Sequence, residues 1–568
     1  MGSKKVLEEL YLGTGNGEAL AGVAPRINLG KVTIILDRYK AILKDFDPRE
    51  LETLGHVPQA MLSRMGEVGL FGLILPLRYG GLGLNLHEYL WLVERMVSLD
   101  LSVSLISLAH LSIGTKGIVL FGSDLQKERY LVPASAGEMV FSFALTEPLV
   151  GSDAQHIQTR AELSEDGEHY ILNGRKTYIT NANHARGFTT FAQLDSARPG
   201  FMGAFIVEAG WEGVKIGKDM PKMGLKASST AAIQFRDVRV PVANLLGKPG
   251  DGFKIAMTVL NFGRLALGAA SSGMMSQSLL DMLDRSAARM QFGRPIRSYP
   301  LIQEKLVRTS VHQVVSSSIN EWVAHLLEED PLAPLAIETS HCKLYGTTRG
   351  WESAYDALQV AGGAGYLMTH PYEKRMRDFR VTTVFEGTTE IHSIYPAIQL
   401  MRRAARLLKG AGGSAAGKWW RGMLWVYGPT LGGISFADPD LRRAARFCRR
   451  SIRSIRKLLF RGLAVHGAKV FDHQFLLRKV TMLSLGCFGI LALLRRYLHQ
   501  FPARDLCDAD RAVLRYALAE AEEDRLRCAR SGPSQLEKLH DAVMAQWPTG
   551  DGEQDSDRKI KKKLEIIA

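Results

Sequence analysis

The spacing of apolar residues along this 568-residue chain changes twice, and these two changes constrain its fold most strongly. Apolar residues recur at helical spacing from about 36 to 140, follow a strand-like pattern from 141 to 245, and return to helical spacing from 253 to about 408. A block of helices, then strands, then helices predicts an α+β fold that is mainly α.

The strand-like block contains a strong turn signal. Residues 170–172 and 177–180 flank Asn173 and Gly174, a dipeptide typical of a two-residue hairpin turn. Residues 200–207 and 231–240 also have strand character. We therefore expect a β-domain in the middle of the chain, with a tight hairpin at Asn173.

Changes in composition divide the rest of the chain. The start is rich in glycine and weakly patterned, a glycine-rich stretch follows the second helical block, and further helical residues and a charged end come last. The predicted units are, in order, an N-terminal tail (1–35), an N-terminal helical domain (36–140), a middle β-domain (141–250), a C-terminal helical bundle (251–408), a linker (409–440), an extra helical domain (441–545) and a charged tail (546–568).

Positive charge is concentrated in one segment. The chain has 72 basic and 58 acidic residues, a net charge of +14. Residues 402–469 alone contain 16 basic and 2 acidic residues, so this segment accounts for the whole excess. A concentrated basic segment on a neutral body predicts an anionic partner such as a membrane surface or a nucleic acid.

Cysteine usage and the apolar runs indicate the compartment. The five cysteines are far apart and form no Cys-x-x-Cys pair, so we expect neither a metal site nor a disulfide framework. The apolar run at 480–494 is too short to span a bilayer, and the first 30 residues resemble neither a signal peptide nor a transit peptide. These features predict a reducing compartment, cytoplasmic or of the mitochondrial-matrix type, with a peripheral membrane location as an option.

Five segments carry the chemistry. They read FSFALTEPLVGSD at 141–153, KTYITN at 176–181, KMG at 222–224 with DVRVP at 237–241, RMQFG at 289–293 and FEGTTE at 385–390. In this order and spacing they resemble the signatures of the acyl-CoA dehydrogenase family over residues 36–405. The resemblance implies an N-terminal helical domain, a middle β-barrel-like domain and a C-terminal four-helix bundle, here with an additional C-terminal helical domain.

The resemblance also implies a reaction, the α,β-desaturation of an acyl-CoA in fatty acid β-oxidation. Oxidising a thioester between Cα and Cβ needs a base for the α-proton and an acceptor for the β-hydride. No side chain accepts hydride reversibly, so a cofactor must, and the family uses FAD. The family further implies electron-transfer flavoprotein as the electron acceptor and a homo-oligomer; we expect a dimer, and a tetramer is the open alternative.

By resemblance, three groups of residues contact ligands. The FAD contacts within one subunit are Phe143, Leu145, Thr146, Ser152, Tyr178, Ile179, Thr180, Thr388 and Glu390. The contacts to the FAD of a neighbouring subunit are Arg289, Gln291, Phe292, Gln303, Gln359, Gly362 and Gly363. The acyl-CoA contacts are Ser152, Asn261, Arg264 and Gly387. The family usually has Trp where Tyr178 stands, and several relatives have Asp where Asn261 stands.

Glu386 is the predicted catalytic base. It lies between Phe385 and Gly387, and a carboxylate beside apolar groups has a raised pKa, which strengthens it as a base. Its backbone N–H would hydrogen-bond the thioester carbonyl and stabilise the enolate. Some relatives carry the base on another helix, at the position of Gly263, and glycine cannot accept a proton.

The basic segment has a helical pattern. On a wheel of residues 441–463, an apolar stripe that includes Cys448, Ile452 and Ile455 lies beside an arc of arginines. Such a helix is typical of binding to an anionic membrane surface. The alternative is that the stripe packs on the protein and the arginines are solvated.

The C-terminal residues are compatible with two anionic partners, a membrane surface or a nucleic acid. Residues 471–479 resemble the extra helical domain of very-long-chain acyl-CoA dehydrogenases, which are dimeric and membrane-associated. A flavoprotein branch of the family, linked to the alkylation response, binds DNA through a basic C-terminal region and has little dehydrogenase activity. The basic segment of this chain, however, contains few aromatic residues on which bases could stack. We expect the membrane rather than nucleic acid.

The acyl chain length also stays open. The helix predicted at 102–114 would floor the acyl pocket. Ala109 is small where medium-chain relatives have Glu, which favours long chains, but Leu108 stands where long-chain relatives have Gly, which would shorten the cavity.

Overall fold

The computed structural model describes residues 5–14, 20, 26–409, 415–431, 436–500, 506–529 and 537. The predicted charged tail at 546–568 lies outside these residues, as do parts of the predicted N-terminal tail, linker and extra domain.

Eight α-helices lie in the described residues of the N-terminal part of the chain. They are α1 Val6–Leu12, α2 Leu29–Asp45, α3 Pro48–Leu54, α4 Gln59–Glu67, α5 Leu86–Leu99, α6 Leu101–Ala109, α7 Lys116–Phe121 and α8 Asp124–Ser135. Side-chain caps set several starts: Asn85 and Glu88 form a capping box at α5, and Asp100 caps α6. Helix α1 lies within the predicted tail and α2 begins before residue 36, and the boundary between the tail and the first domain stays a prediction.

Eight strands form the middle sheet. They are β1 Val140–Ala144, β2 Arg160–Leu163, β3 His169–Thr180, β4 Ala185–Gln193, β5 Met202–Glu208, β6 Val214–Ile216, β7 Thr230–Pro241 and β8 Leu245–Gly250. The strand order is β6-β7-β3-β2-β4-β5-β8, and β1 pairs with β4 in parallel. The strands predicted at 200–207 and 231–240 correspond to β5 and β7.

The hairpin predicted at Asn173 and Gly174 is wrong. Both residues lie inside β3, which continues through them and pairs with β7 with a shift of register after Leu172. The Asn173 amide donates to Asp237 on β7 and accepts from its backbone N–H. A Cβ at Gly174 would lie 2.5 Å from Thr159, so the glycine permits close contact between strands rather than a turn.

The C-terminal bundle follows. Its elements are α9 Gly252–Ala288, the short strands β9 Met290–Gln291 and β10 Arg294–Pro295, then α10 Pro300–Glu329, α11 Ala336–Ala361, α12 Gly363–Tyr366, α13 Tyr372–Arg380 and α14 Thr389–Lys409. The long helices α9, α10, α11 and α14 form the predicted four-helix bundle. Asp378 on α13 is buried with Lys374 and accepts from the Leu225 N–H, which ties the bundle to the middle domain.

In the described part of the C-terminal region, four further helices belong to the extra domain: α15 Ala415–Tyr427, α16 Pro439–His466, α17 Gln474–Gln500 and α18 Asp508–Cys528. The predicted linker is therefore partly helical, because α15 lies within it. The predicted basic helix is α16, and its apolar stripe is buried against the protein, with Cys448, Ile452 and Ile455 fully inside. The stripe cannot also insert into a membrane, so that interpretation of α16 is corrected.

Two helical segments of the described chain are long and apolar enough to cross a bilayer, Leu101–Phe121 and Gln474–Leu498. Most of each is buried within the protein, so their apolar character is explained by packing in the core. The apolar run at 480–494 is thus part of α17, a helix in the core of the extra domain.

Candidate active site

A short turn between α13 and α14 carries Glu386. Its φ is +57°, and that of Gly387 is +98°, both in the left-handed region. A non-glycine residue adopts this conformation only where its surroundings hold it, and such strain is found mostly at functional positions. The Glu386 Oε2 atom is buried and has no hydrogen-bond partner among the described residues. An unpartnered carboxylate oxygen inside a protein is costly, so it marks a position kept for chemistry.

The surroundings of Glu386 set its proton affinity. Burial raises the pKa of Glu386 to about 7, and the nearby Arg264 and Lys343 act in the opposite direction. Burial in turn lowers the pKa of Lys343 to about 7, against the attraction of Glu386. A carboxylate with a pKa near neutrality can accept a proton at physiological pH and release it again.

Gly263 of α9 faces the carboxylate of Glu386. A Cβ at Gly263 would lie 3.2 Å from Glu386 Oε2 and 2.8 Å from the Ile113 side chain. A larger residue there would therefore crowd the carboxylate. The structure brings together the two positions that the sequence analysis considered for the base, and only Glu386 provides a carboxylate.

Of the predicted acyl-CoA contacts, two lie deep in the bundle. Arg264 is buried, its Nε has no partner among the described residues, and its guanidinium lies 5.8 Å from the centre of the Tyr395 ring. Asn261 is also buried, and its amide oxygen accepts a hydrogen bond from Thr339 Oγ1. Asn261 is thus used inside the protein here, and its contact with CoA stays a prediction. Ser152 is exposed and Gly387 half-buried.

The residues predicted to hold the cofactor within one subunit lie at the end of β1 and on β3. The Thr177 N–H donates to Thr146 O at 2.9 Å, which joins the two strands. Tyr178 next to it has φ +56° and a side chain 67% exposed. Leu145 and Ile179 are buried, whereas Phe143, Thr146 and Thr180 are partly accessible. A strained, exposed aromatic residue beside accessible hydroxyls forms a platform on which a flat ring can stack.

A buried ion pair supports this platform and was not predicted. Lys176 Nζ donates to Glu147 Oε1 at 2.7 Å and to Leu145 O at 3.1 Å. Glu147 also accepts from the N–H groups of Gln158 and Thr159. The pair fixes the backbone at the end of β1. Both residues lie within predicted motifs, but no pattern in those motifs indicates that their side chains meet.

The second predicted cofactor group lies at one end of the bundle. A small apolar cluster of Met282, Ala357 and Val360 joins α9, α11 and the start of α10 there. Phe292 has φ +51° and is 92% exposed at the β9–β10 turn, and Gly362, with φ +65° and open space on its Cβ side, follows α11. The remaining members of the group, Arg289, Gln291, Gln303, Gln359 and Gly363, are also exposed. Thr388 is partly buried and Glu390 exposed, beside the Glu386 turn.

Sequence models of three domains match this chain in order. The acyl-CoA dehydrogenase N-terminal, middle and C-terminal domains match residues 40–138, 142–238 and 250–401. The chain belongs to the acyl-CoA dehydrogenase family. The resemblance read from the five motifs is confirmed, and the family is one of oxidoreductases that act on acyl-CoA.

Individual relatives extend the match. The mitochondrial very long-chain specific acyl-CoA dehydrogenases of Macaca fascicularis and Homo sapiens are 36% and 35% identical over 470 residues, 79% of this chain and 71% of theirs. An acyl-CoA dehydrogenase from Bacillus anthracis, solved in complex with FAD, has a TM-score of 0.79 at 25% identity and covers 97% of this chain and 98% of its own. Butyryl-CoA dehydrogenase from Megasphaera elsdenii has a TM-score of 0.63 at 30% identity, with 67% and 100% covered. The extra helical domain is therefore part of a shared architecture.

The contacts that hold the Glu386 turn were also missed. His392 Nε2 lies 2.9 Å from Glu386 O, Ser340 Oγ lies 2.6 Å from His392 Nδ1, and Lys343 Nζ donates to Gly387 O. Ser340 and Lys343 come from α11, more than 40 residues before the turn, and carried no motif in the acyl-CoA dehydrogenase signatures. Only the packing of α11 against α14 brings them to the base.

Proposed function

We propose that this protein is an FAD-dependent acyl-CoA dehydrogenase that desaturates a long-chain acyl-CoA to the trans-2-enoyl-CoA in fatty acid oxidation. The observation that carries the proposal is Glu386: a buried carboxylate oxygen without a partner, with a pKa raised to about 7, in the family's own motif. We further propose a reducing compartment, cytoplasmic or of the mitochondrial-matrix type, because the five cysteines lie far apart along the sequence.

The residues present fit FAD. Tyr178 offers an exposed ring in a strained conformation, and Thr146 and Thr180 offer hydroxyls beside it. These residues would hold the isoalloxazine ring, and Gly362, which has open space around it, would let a neighbouring subunit's cofactor approach. When bound, FAD supplies the acceptor for the β-hydride.

The protein's own residues would handle the proton. Glu386 accepts the α-proton of the substrate at its unpartnered Oε2 atom. Arg264 and Lys343 stabilise the carboxylate before the transfer, because they favour its charged form. The Glu386 N–H donates to the thioester carbonyl, where negative charge develops as the proton leaves. The buried setting excludes water, which strengthens these interactions.

A substrate panel tests the activity and its chain length. The FAD-loaded protein is mixed with acyl-CoAs from short to very long, and reduction of an artificial electron acceptor is followed. We expect the highest kcat/KM for long chains, because the relatives are very long-chain enzymes and Ala109 leaves room in α6. Reduction by short chains alone would show that Leu108, which is buried beside it, closes the pocket. No reduction with any chain would refute the proposal.

The expected macromolecular partners follow from the family. We propose a homodimer in which Phe292 and its exposed neighbours reach the FAD of the second subunit, and electron-transfer flavoprotein as the acceptor. The exposed side chain of Phe292 on a strained turn supports the homodimer, since an aromatic ring exposed to water does not stabilise an isolated chain. Light scattering of the FAD-loaded protein should give twice the chain mass of 62.8 kDa. A monomer that retains FAD would contradict the dimer.

We also propose that the extra domain docks on an anionic membrane, through α15 rather than through the apolar stripe of α16. Trp420, Leu424 and Tyr427 lie on one face of α15 and are 64%, 68% and 62% exposed. Aromatic residues of this kind favour the boundary between lipid headgroups and acyl chains. The buried stripe of α16 leaves α15 as the apolar contact.

The basic charge lies next to this face. α15 packs on α16 so closely that a Cβ at Gly422 would lie 1.9 Å from the Phe460 ring. At about 100° per residue, Arg453 and Lys457 lie within about 60° of Phe460 on the α16 wheel. Both are exposed. An aromatic face beside a basic row matches the surface of an anionic bilayer.

Vesicle sedimentation tests the docking. Serine at Trp420, Leu424 and Tyr427 together should reduce binding to anionic vesicles while leaving dye reduction intact. Serine at Leu77, Leu125 and Leu163, which are exposed elsewhere, is the matched control. Equal sedimentation of both variants and wild type would refute the α15 face. Salt-sensitive retardation of DNA without vesicle binding would favour the DNA-binding branch of the family instead.

A further inference from the structure

Both carbonyl groups of the Glu386 turn are held from inside the protein. Glu386 O accepts from His392, and Gly387 O accepts from Lys343. Both turn residues have positive φ, so the turn needs outside contacts to keep its conformation. His392 also packs under the turn, since a Cβ at Gly387 would lie 2.6 Å from its Nε2.

The hydrogen bonds fix one tautomer of His392. A backbone carbonyl only accepts, so His392 Nε2 must carry the proton that is donated to Glu386 O. The other ring nitrogen, Nδ1, then has a free lone pair, and Ser340 Oγ donates to it at 2.6 Å. The imidazole is fully buried, and burial keeps its pKa well below the usual range, so the ring stays neutral.

The charged groups around His392 come from several helices. Arg264 faces it from α9 and Lys343 from α11, while His341 of α11 is a further neutral neighbour. The same two cations face Glu386. Loss of the neutral imidazole would therefore leave the charge around Glu386 unchanged. The role of His392 must then show in the geometry of the turn and not in the proton affinity of the carboxylate.

We propose that His392, with Ser340 behind it, is a positioning residue for the catalytic base. It holds the peptide between Glu386 and Gly387 so that the carboxylate and the backbone N–H of Glu386 point at the same substrate carbons. This inference rests on the proposed function, since it assigns His392 a role in proton abstraction by Glu386. Ser340 acts only through His392, because it keeps the proton on Nε2.

The test compares three variants in anaerobic single-turnover flavin reduction. His392→Leu removes the donor and keeps the bulk, and a base misplaced by about 1 Å should lower the limiting rate about 10- to 100-fold. The acyl-CoA dissociation constant should change less than about threefold. His392→Gln restores an N–H near the Nε2 position and should recover most of the rate. The limiting rate of Ser340→Ala should lie between those of wild type and His392→Leu. The matched control is Ser393→Ala, because the Ser393 hydroxyl bonds to Thr389 O of its own helix.

Three results would overturn the proposal: an unchanged rate in His392→Leu, equal losses in the Leu and Gln variants, or a parallel loss of acyl-CoA binding that indicates general damage. Nitrogen NMR of the histidine-labelled protein provides a readout independent of activity. Wild type should show His392 protonated at Nε2 only, and Ser340→Ala should show a mixture of tautomers. If acyl-CoA does not reduce wild type, the proposed function fails, and the NMR still decides whether His392 holds the turn.

Discussion

Two opposing effects act on Glu386 and suit it to the proposed role of base. Burial disfavours its charged form and raises its pKa, while Arg264 and Lys343 favour the charged form and limit the rise. Without the cations the carboxylate would stay protonated at neutral pH, and without burial it would be too weak a base. The pKa of about 7 reflects this balance.

The balance predicts a pH dependence. Because the pKa of Glu386 is raised to about 7, the carboxylate is protonated and inactive below that pH and becomes an effective base above it. The value of kcat/KM, which reports the free enzyme, should rise through about pH 7 and level off above it. Stopped-flow or steady-state rates across pH would measure it, with FAD retention as the control. A rate that is flat across this range, or that falls through pH 7, would contradict the account.

Glu386 can be predicted as the base from the sequence because the motif around it is contiguous and its apolar neighbours indicate a raised pKa. Ser340, Lys343 and His392 cannot be predicted as its supports. A histidine or lysine in a helical stretch has no distinguishing pattern, and its role depends on which helix packs against it. Gly263 could be interpreted only because the family places a base there.

At the scale of elements, the helices and strands follow from hydrophobic spacing, whereas local dipeptides mislead. Asn173 and Gly174 carry a strong turn signal, but the pairing of β3 with β7 on both sides keeps the strand continuous, and the two residues form an irregularity within it. The apolar stripe of α16 was predicted, but its burial against the rest of the protein was only the alternative interpretation. Arg456 belongs by its wheel position to the predicted arc of arginines, but its side chain is buried.

Arg456 joins three segments of the chain. It donates to Tyr11 O of α1, to Trp425 O of α15, and to the carbonyls of Gly428 and Pro429. A carbonyl bonded to a charged donor typically contributes about 1.5–3 kcal/mol. Arg456 therefore anchors the first helix and α15 to the extra domain.

We predict that Arg456→Met loosens α1 and α15. Loss of about 2 kcal/mol of local stability would speed amide exchange in both helices about 30-fold, because the freed carbonyls lose a charged donor. Hydrogen–deuterium exchange measured by mass spectrometry would resolve the two helices. Arg453→Met, an exposed neighbour on the same helix, is the control and should leave their exchange within about twofold. Equal exchange in Arg456→Met and wild type would show that apolar packing alone holds α1.

In the whole molecule, the candidate active site and the proposed docking surface lie in different parts. Glu386 and the platform around Tyr178 belong to the bundle and the middle domain, and the basic charge belongs to the extra domain. The seven exposed basic residues of α16 are Arg442, Arg443, Arg446, Arg450, Arg453, Lys457 and Arg461. The charge count predicted this separation, and in the proposed docking the exposed aromatic face of α15 provides the apolar contact.

Reversal of Arg446, Arg450 and Arg453 to Glu should abolish binding to anionic vesicles and leave dye reduction with a soluble acyl-CoA intact. Each basic residue near an anionic surface contributes about 1 kcal/mol, and reversal replaces attraction by repulsion. Arg450 also lies 3.6 Å from Glu522, so Arg446 and Arg453 reversed alone provide a control for the fold. Co-sedimentation at low and high salt measures the effect. Sedimentation equal to wild type would mean that the arginines are only a solvated face.

Anaerobic mixing of the FAD-loaded protein with a saturated long-chain acyl-CoA tests directly whether Glu386 is the base for desaturation. We expect the yellow flavin absorbance of the wild type to bleach. In Glu386→Gln, which keeps the shape but removes the base, FAD and acyl-CoA should still bind while the bleaching rate falls about 10²- to 10⁴-fold. Bleaching of both proteins within a factor of about two would show that the base lies elsewhere, and a wild-type protein that binds FAD but never bleaches would contradict the proposed activity.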